Sequence, residues 1–315
     1  MALAAAALVA CSETPGKAQT DMVEPPAAAV FAANDVATDT GLAGTLLTPL
    51  KARTDTLALI IPGSGPTDRD GNGPMITTDA YRLLAEALAE SGVPSLRVDK
   101  RGMFGSASAG DPNAVTLDIY REDMAAWLEA MDRDCAVLVG HSEGGLVALH
   151  SADLPGVCGV VLLATPGRKL GDVLRGQLRA NPFNRPIIKE AESAIAALER
   201  GERVDTADMN PALAPLFREE VQGFLIGMFG FDPAEAARSV DVPLMVVGGG
   251  QDAQVTREDF DALASADDLS VWFEGMSHTL KGVDDPTAAR SYQDPEMPLE
   301  AGLATSMVPF ILSVD

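Results

Sequence analysis

Ser142 stands in Gly140-His141-Ser142-Glu143-Gly144, directly after the apolar run Ala136-Val137-Leu138-Val139 and directly before Gly145-Leu146-Val147-Ala148-Leu149. A strand that ends in G-x-S-x-G and turns at once into a helix pushes the serine hydroxyl out at the strand's carboxyl end. The turn is so tight that side chains at 140 and 144 would collide, which calls for glycine there. A serine hydroxyl is a weak nucleophile until a base takes its proton. The chain has three histidines. His141 adjoins the serine and is expected to point away from the turn. His150 lies two turns down the following helix and cannot reach back. His278 remains, in the loop Glu274-Gly275-Met276-Ser277-His278 after a predicted strand over 269–273. The imidazole needs an orienting carboxylate, and the order Ser, Asp, His fits Asp252 at the end of a strand over 244–248. Asp259 and Asp261 fall within the next helix, and Asp241 is at the wrong end of that strand.

Such a set does acyl transfer, which also requires donors for the oxyanion. The Glu143 N–H is one by the geometry of the turn. The second is assigned to the Ser64 N–H, in the loop Pro62-Gly63-Ser64-Gly65-Pro66, where flanking glycines let the backbone approach a substrate. The loop is not a phosphate cradle, because G-x-x-x-x-G-K-[ST] is absent and no dinucleotide fingerprint follows. No His/Cys/Asp cluster has metal-ligand spacing, so neither metal nor cofactor is expected. Asp99 and Arg101 read as an ion pair beside the turn. Asp68, Arg69 and Asp70 read as braces of their own loop. Glu143 reads as a contributor of its N–H alone, with a carboxylate that lines the site mouth as the alternative.

The elements that must position these groups alternate between strand and helix. Leu57–Ile61 is a continuous apolar strand, and 93–98 and 160–164 are others. Tyr81, Leu84, Ala85 and Leu88 share one face of a helix, with Thr77, Thr78 or Asp79 as its cap. Leu117, Tyr120, Met124, Trp127, Leu128 and Met131 form a second helical stripe; helices over about 256–264 and 299–312 follow. This alternation predicts an α/β fold, a mostly parallel sheet with helices on both faces. From 166 to 242 no strand is convincing. Ile188, Ala191, Ile195 and Leu198 mark one amphipathic helix there, and Val221, Phe224, Leu225 and Met228 another. The expectation is a helical cap over the site that excludes water and shapes the acyl pocket.

Five blocks in order resemble a bacterial α/β-hydrolase carboxylesterase family. They are Gly63-Ser64-Gly65-Pro66-Thr67-Asp68-Arg69-Asp70-Gly71, Arg97-Val98-Asp99-Lys100-Arg101-Gly102, the segment 140–145, Asp252-Ala253-Gln254-Val255, and Gly275-Met276-Ser277-His278-Thr279-Leu280-Lys281. The similarity runs from about Gly41 onward. It implies the α/β-hydrolase fold, a serine esterase of short-chain acyl esters, a helical cap and no cofactor. Many relatives have His before Gly63 or Asp before Asp252, where this chain has Pro62 and Gln251. Neither departure touches a proposed catalytic atom.

The 23 Lys and Arg against 46 Asp and Glu give a net charge of −23, which argues against nucleic acid and anionic lipid as partners. Hydrophobic residues make up 47%, enough for a sizeable core. No internal apolar run reaches the roughly 18 residues of a spanning helix. At the N-terminus, Leu8-Val9-Ala10-Cys11 resembles a bacterial lipobox, although no Lys or Arg precedes the apolar segment. The expected organisation is a signal peptide over 1–11, a flexible tether over 12–33, an α/β core over 34–165 and 243–315, and a cap over 166–242. Lipidation of Cys11 would be the only membrane attachment of a protein facing the periplasm. Cys135 and Cys158 each stand just before a predicted strand, 136–140 and 159–164, and the two strands are expected to be parallel neighbours. They are either a disulfide, which an exported location permits, or two reduced hydrophobic side chains. A thioesterase or peptidase would use the same triad against another substrate, and cofactor-free haloperoxidase chemistry could be a side reaction. A non-catalytic envelope lipoprotein of hydrolase-like fold is the alternative of another class. The complete Ser142, Asp252 and His278 set argues against it.

Overall fold

Five apolar residues in succession leave β3 (Leu57–Ile61) no polar face, so both faces must be covered, and all five residues are buried. The computed structural model describes residues 29–264, 269–285 and 289–314. Its main sheet is built from β1 (Phe31–Ala37), β2 (Ala43–Pro49), β3, β6 (Ser95–Val98), β7 (Ala136–His141), β8 (Val157–Leu163), β9 (Leu244–Gln251) and β10 (Leu269–Ser277). β4 (Asn72–Gly73) and β5 (Ile76–Thr77) form a small separate hairpin. The main sheet has the order β1-β2-β6-β3-β7-β8-β9-β10. From β6 to β10 every pairing is parallel; β1 with β2 and β2 with β6 are antiparallel.

Alternate residues of a strand point to opposite faces, and the core divides accordingly. On one side Leu57, Leu59 and Ile61 pack with Tyr120, Met124 and Trp127 of α2 (Leu117–Met131) and with Leu146 and Leu149 of α3 (Glu143–His150). On the other, Ala58 and Ile60 pack with Tyr81, Leu84 and Leu88 of α1 (Ala80–Glu90). Met307, Phe310 and Ile311 of α10 (Leu303–Ser313) complete that face. Helix α1 starts at Asp79, in a left-handed conformation without a side-chain cap bond. α2 is capped by Thr116, whose side chain accepts from the Ile119 N–H at 3.1 Å. α9 (Arg257–Leu263) opens on a capping box between Thr256 and Asp259.

Between β8 and β9 the chain is helical: α4 (Leu170–Ala180), α5 (Ile188–Glu199), the single turn α6 (Ala214–Phe217), α7 (Gln222–Gly230) and α8 (Pro233–Ser239). These helices bury a small core of their own around Ala191, Ile195, Leu198, Leu213, Phe217 and Phe229.

Two sequence expectations need correction. β1 begins at Phe31, inside the stretch 12–33 read as tether. β1 and β2 had given no signal because they form an antiparallel edge, where β1 is mostly exposed and has no apolar run. Cys158 lies within β8 rather than before it. Cys135 and Cys158 are joined as a disulfide, with Cα atoms 5.4 Å apart. Cys11 lies outside the described residues.

Candidate active site

At the junction of β7 and α3, Ser142 has φ 54° and ψ −121°, on the positive-φ side that side chains other than glycine rarely adopt. The strain is held by packing. A Cβ at Gly140 would sit 2.3 Å from the Gly144 carbonyl oxygen, and one at Gly144 would sit 2.3 Å from that of Ile61. The Ser142 N–H donates to the Leu163 carbonyl of the neighbouring strand at 2.9 Å. The Glu143 amide, first in α3, has no intrahelical acceptor available to it.

Asp252 and His278 leave the sheet at the ends of the adjacent parallel strands β9 and β10. The His278 Nδ1–H donates to Asp252 Oδ2 at 2.8 Å. Asp252 Oδ1 accepts from the N–H groups of Gln254 at 2.7 Å and Val255 at 2.9 Å. Its carboxylate is fully buried, so both oxygens are committed and the imidazole is held in one tautomer with a lone pair on Nε2. Ser142 and His278 border the same two cavities. His150 lies elsewhere and pairs with Asp118 at 2.7 Å.

His141 was expected to turn away from the site; instead its ring lies 4.9 Å from that of His278, centroid to centroid. Its Nε2 is 2.8 Å from the His278 carbonyl oxygen, an atom that can only accept, so Nε2 carries the proton. Nδ1 is then the acceptor of a hydrogen bond donated by the Tyr81 hydroxyl at 2.7 Å, while the same hydroxyl accepts the Gly63 N–H at 3.0 Å. Burial pulls His141 down to about 3, so the bridge stays uncharged at neutral pH. A side chain read as a core stripe, Tyr81, thus links the loop after β3 to the backbone of His278. Nothing in its helical spacing distinguishes it from Leu84.

That loop carries Ser64, which borders both cavities. Gly63 packs against the turn: a Cβ there would lie 3.2 Å from the Ser142 Cβ. Asp68 braces its own loop, accepting from the N–H groups of Asp70 at 2.9 Å and Asn72 at 2.8 Å. Arg69 and Asp70 reach further. Arg69 pairs with Asp99 at 2.6 Å and Asp70 with Arg97 at 3.0 Å. The expected Asp99–Arg101 pair is therefore not formed; Arg101 pairs with Asp123 of α2. Past the strand end the two side chains diverge, and each finds a partner on a different element. Glu143 is among the residues bordering the larger cavity, and its carboxylate lies 3.7 Å from the Lys100 ammonium.

The larger cavity, about 310 Å³, runs from Ser142 under the inserted helices, where Leu170, Val173, Leu174, Phe224, Leu225 and Met228 make it predominantly apolar. The smaller, about 180 Å³, lies on the other side toward Thr67, Thr78 and Tyr292. Gln254, which donates to the Tyr292 hydroxyl at 2.9 Å, borders both. Among the described residues no three His, Cys, Asp or Glu side chains cluster as a metal site, and no helix is long and apolar enough to cross a membrane.

Residues 58–289 match the profile of the alpha/beta hydrolase family. Esterase EstD of Thermotoga maritima is 27% identical over 247 residues, covering 76% of this chain and 56% of the relative. The chain thus spans little more than half the length of the curated relative it matches. Among solved structures, VinJ superposes with a TM-score of 0.54 at 17% identity, over 90% of this chain and 99% of that one. Proline iminopeptidase of Mycobacterium smegmatis gives 0.53 at 17% identity, over 90% and 98%. An esterase of Pyrococcus furiosus gives 0.50 at 14% identity, over 89% and 91%. At these identities the structural likenesses speak to the fold alone.

Proposed function

We propose that this chain, which belongs to the alpha/beta hydrolase family, is a serine carboxylesterase. Ser142 attacks the ester carbonyl while His278 Nε2 takes its hydroxyl proton. Asp252 stabilises the imidazolium that forms. The tetrahedral oxyanion is met by the N–H groups of Ser64 and Glu143. Collapse expels the alcohol, which receives the proton from His278, and leaves an acyl-serine. Water, deprotonated by the same imidazole, hydrolyses that acyl-serine and restores the hydroxyl. The observation that carries this reading is the 2.8 Å bond from His278 to a fully buried Asp252 carboxylate, beside cavities that His278 shares with Ser142.

The substrate class is a small ester with a short acyl chain. The cavity of about 310 Å³ supports an apolar group of limited length, and segment 166–242 is its cap. The Cys135–Cys158 disulfide supports an exported location, with Cys11 as the lipid-bearing residue that tethers the enzyme on the periplasmic side. Hydrolysis of p-nitrophenyl acetate and butyrate tests the assignment. Ser142→Ala should abolish turnover and fluorophosphonate labelling while the melting temperature stays within a few degrees. Undiminished turnover in that variant would rule out Ser142 as the nucleophile.

A further inference from the structure

Lys100 is a buried ammonium that none of these steps uses. A buried cation is costly unless it is hydrogen-bonded and paired, so its partners indicate what it is kept for. Burial pulls its pKa down, and the Glu143 carboxylate at 3.7 Å opposes that shift. Its Nζ donates to the Gly63 carbonyl oxygen at 2.6 Å.

The peptide from Gly63 to Ser64 is trans, as is every peptide of the described chain. In a planar trans peptide the C=O and the next N–H point in opposite directions. Holding the Gly63 carbonyl therefore aims the Ser64 N–H the other way. The preceding amide is fixed as well, since the Gly63 N–H donates to the Tyr81 hydroxyl at 3.0 Å. A glycine, which would otherwise be the freest point of the loop, is thus held at both of its polar backbone atoms. Lys100 is also one of three charged residues from a single segment that grip this loop. Arg97 holds Asp70 at 3.0 Å and Asp99 holds Arg69 at 2.6 Å. Of the three, Lys100 alone reaches the peptide that carries the proposed oxyanion donor.

We propose that Lys100 is a positioning residue of the oxyanion hole, holding the Gly63 carbonyl so that the Ser64 N–H faces the tetrahedral intermediate. The inference rests on the esterase reading above. Lys100 touches no substrate atom; it acts through one peptide plane. That peptide's hydrogen bond is felt most in the transition state, so Lys100 should govern kcat and leave KM nearly alone.

The test compares wild type, Lys100→Met and Lys100→Gln in kcat and KM for p-nitrophenyl butyrate, melting temperature, and inhibition by a trifluoromethyl ketone, whose serine adduct carries the oxyanion. Losing an oxyanion donor outright costs on the order of 10²–10³-fold in kcat; misaligning one in Lys100→Met should cost roughly 10- to 100-fold, with KM little changed. The inhibitor should weaken by a similar factor. Lys100→Gln is shorter but still donates, and should lie between the two; it carries the test if the Met variant does not fold. Wild-type kcat in a folded variant, or a fall in kcat with inhibitor affinity unchanged, overturns the assignment. A wild-type protein that neither hydrolyses the ester nor takes a fluorophosphonate label sinks the esterase reading, and the Lys100 proposal with it. A labelled, active wild type with unaffected Lys100 variants sinks the Lys100 proposal alone.

Discussion

Around Ser142, position is set mainly by backbone. Glycines at 140 and 144 let the turn close against the Gly144 and Ile61 carbonyls, and Asp252 is held by two main-chain amides. His141 grips the His278 carbonyl rather than its side chain. In the helices between β8 and β9 the work falls to side chains. They have their own apolar core around Ile195 and Phe217. Polar ties to the sheet domain run through side chains, such as Arg168 with Asp259 at 2.8 Å and Arg218 with Asn113 at 3.0 Å. Backbone is set by the whole sheet and tolerates little change, whereas a cavity lined by exchangeable side chains can be reshaped one residue at a time. Chemistry at the rim and selectivity in the insertion should therefore be separable by mutation.

The largest effect should come from breaking the rim. Asp252→Asn keeps the shape but withdraws the charge that holds the imidazole in its tautomer. We expect kcat to fall roughly 10⁴-fold, about 5 kcal/mol of barrier. The ratio of activity on p-nitrophenyl acetate to butyrate should not move. A loss that depends on acyl length would show that rim and pocket are not separable. Next comes the pocket. Leu174→Phe narrows the larger cavity, and kcat/KM for the longest accepted acyl chain should drop roughly 10-fold. Acetate turnover should hold, as an acyl-length series would reveal; equal losses on every ester would mean that Leu174 does not shape acyl selectivity.

The last effect, on stability rather than on turnover, sharpens the account of how the rim is held. His141 titrates near 3 in the folded protein, below its value in the unfolded chain, because burial disfavours its charged form. Between about 6.5 and 3 the unfolded chain therefore binds the extra proton, so stability is present above that window and is lost on acidification through it. From pH 7 to 5 the loss from this one group is at most about 2 kcal/mol. Urea unfolding of His141→Gln should show a shallower fall over that interval, from a lower starting stability. An acid limb as steep as that of wild type would mean that other groups produce it.

The candidate site was legible in the sequence because its residues sit in short local patterns. G-x-S-x-G between an apolar run and a helix fixes a turn. With three histidines in the chain, one falls at the end of a late strand. The central parallel strands were legible too, since burial on both faces demands unbroken apolar runs such as Leu57–Ile61. The edge strands were not, because half-exposed antiparallel pairs need no such run. α4 carried an unused signal: Leu170, Val173, Leu174 and Leu178 recur at helical spacing, and in the fold they between them line the larger cavity and pack on the core of the inserted helices.

What sequence by itself determined was residue type and order: a serine in a glycine-flanked turn, a carboxylate after one strand, an imidazole after the next, and alternating elements to carry them. Only the tertiary structure decided the partners. Asp99 could have met Arg101, two positions away, yet it meets Arg69 across a loop; His141 could have faced away, yet it holds the carbonyl of His278. Local spacing restricts where a side chain starts, whereas its partner is chosen by which distant backbone the sheet brings alongside, and that is a property of the folded whole.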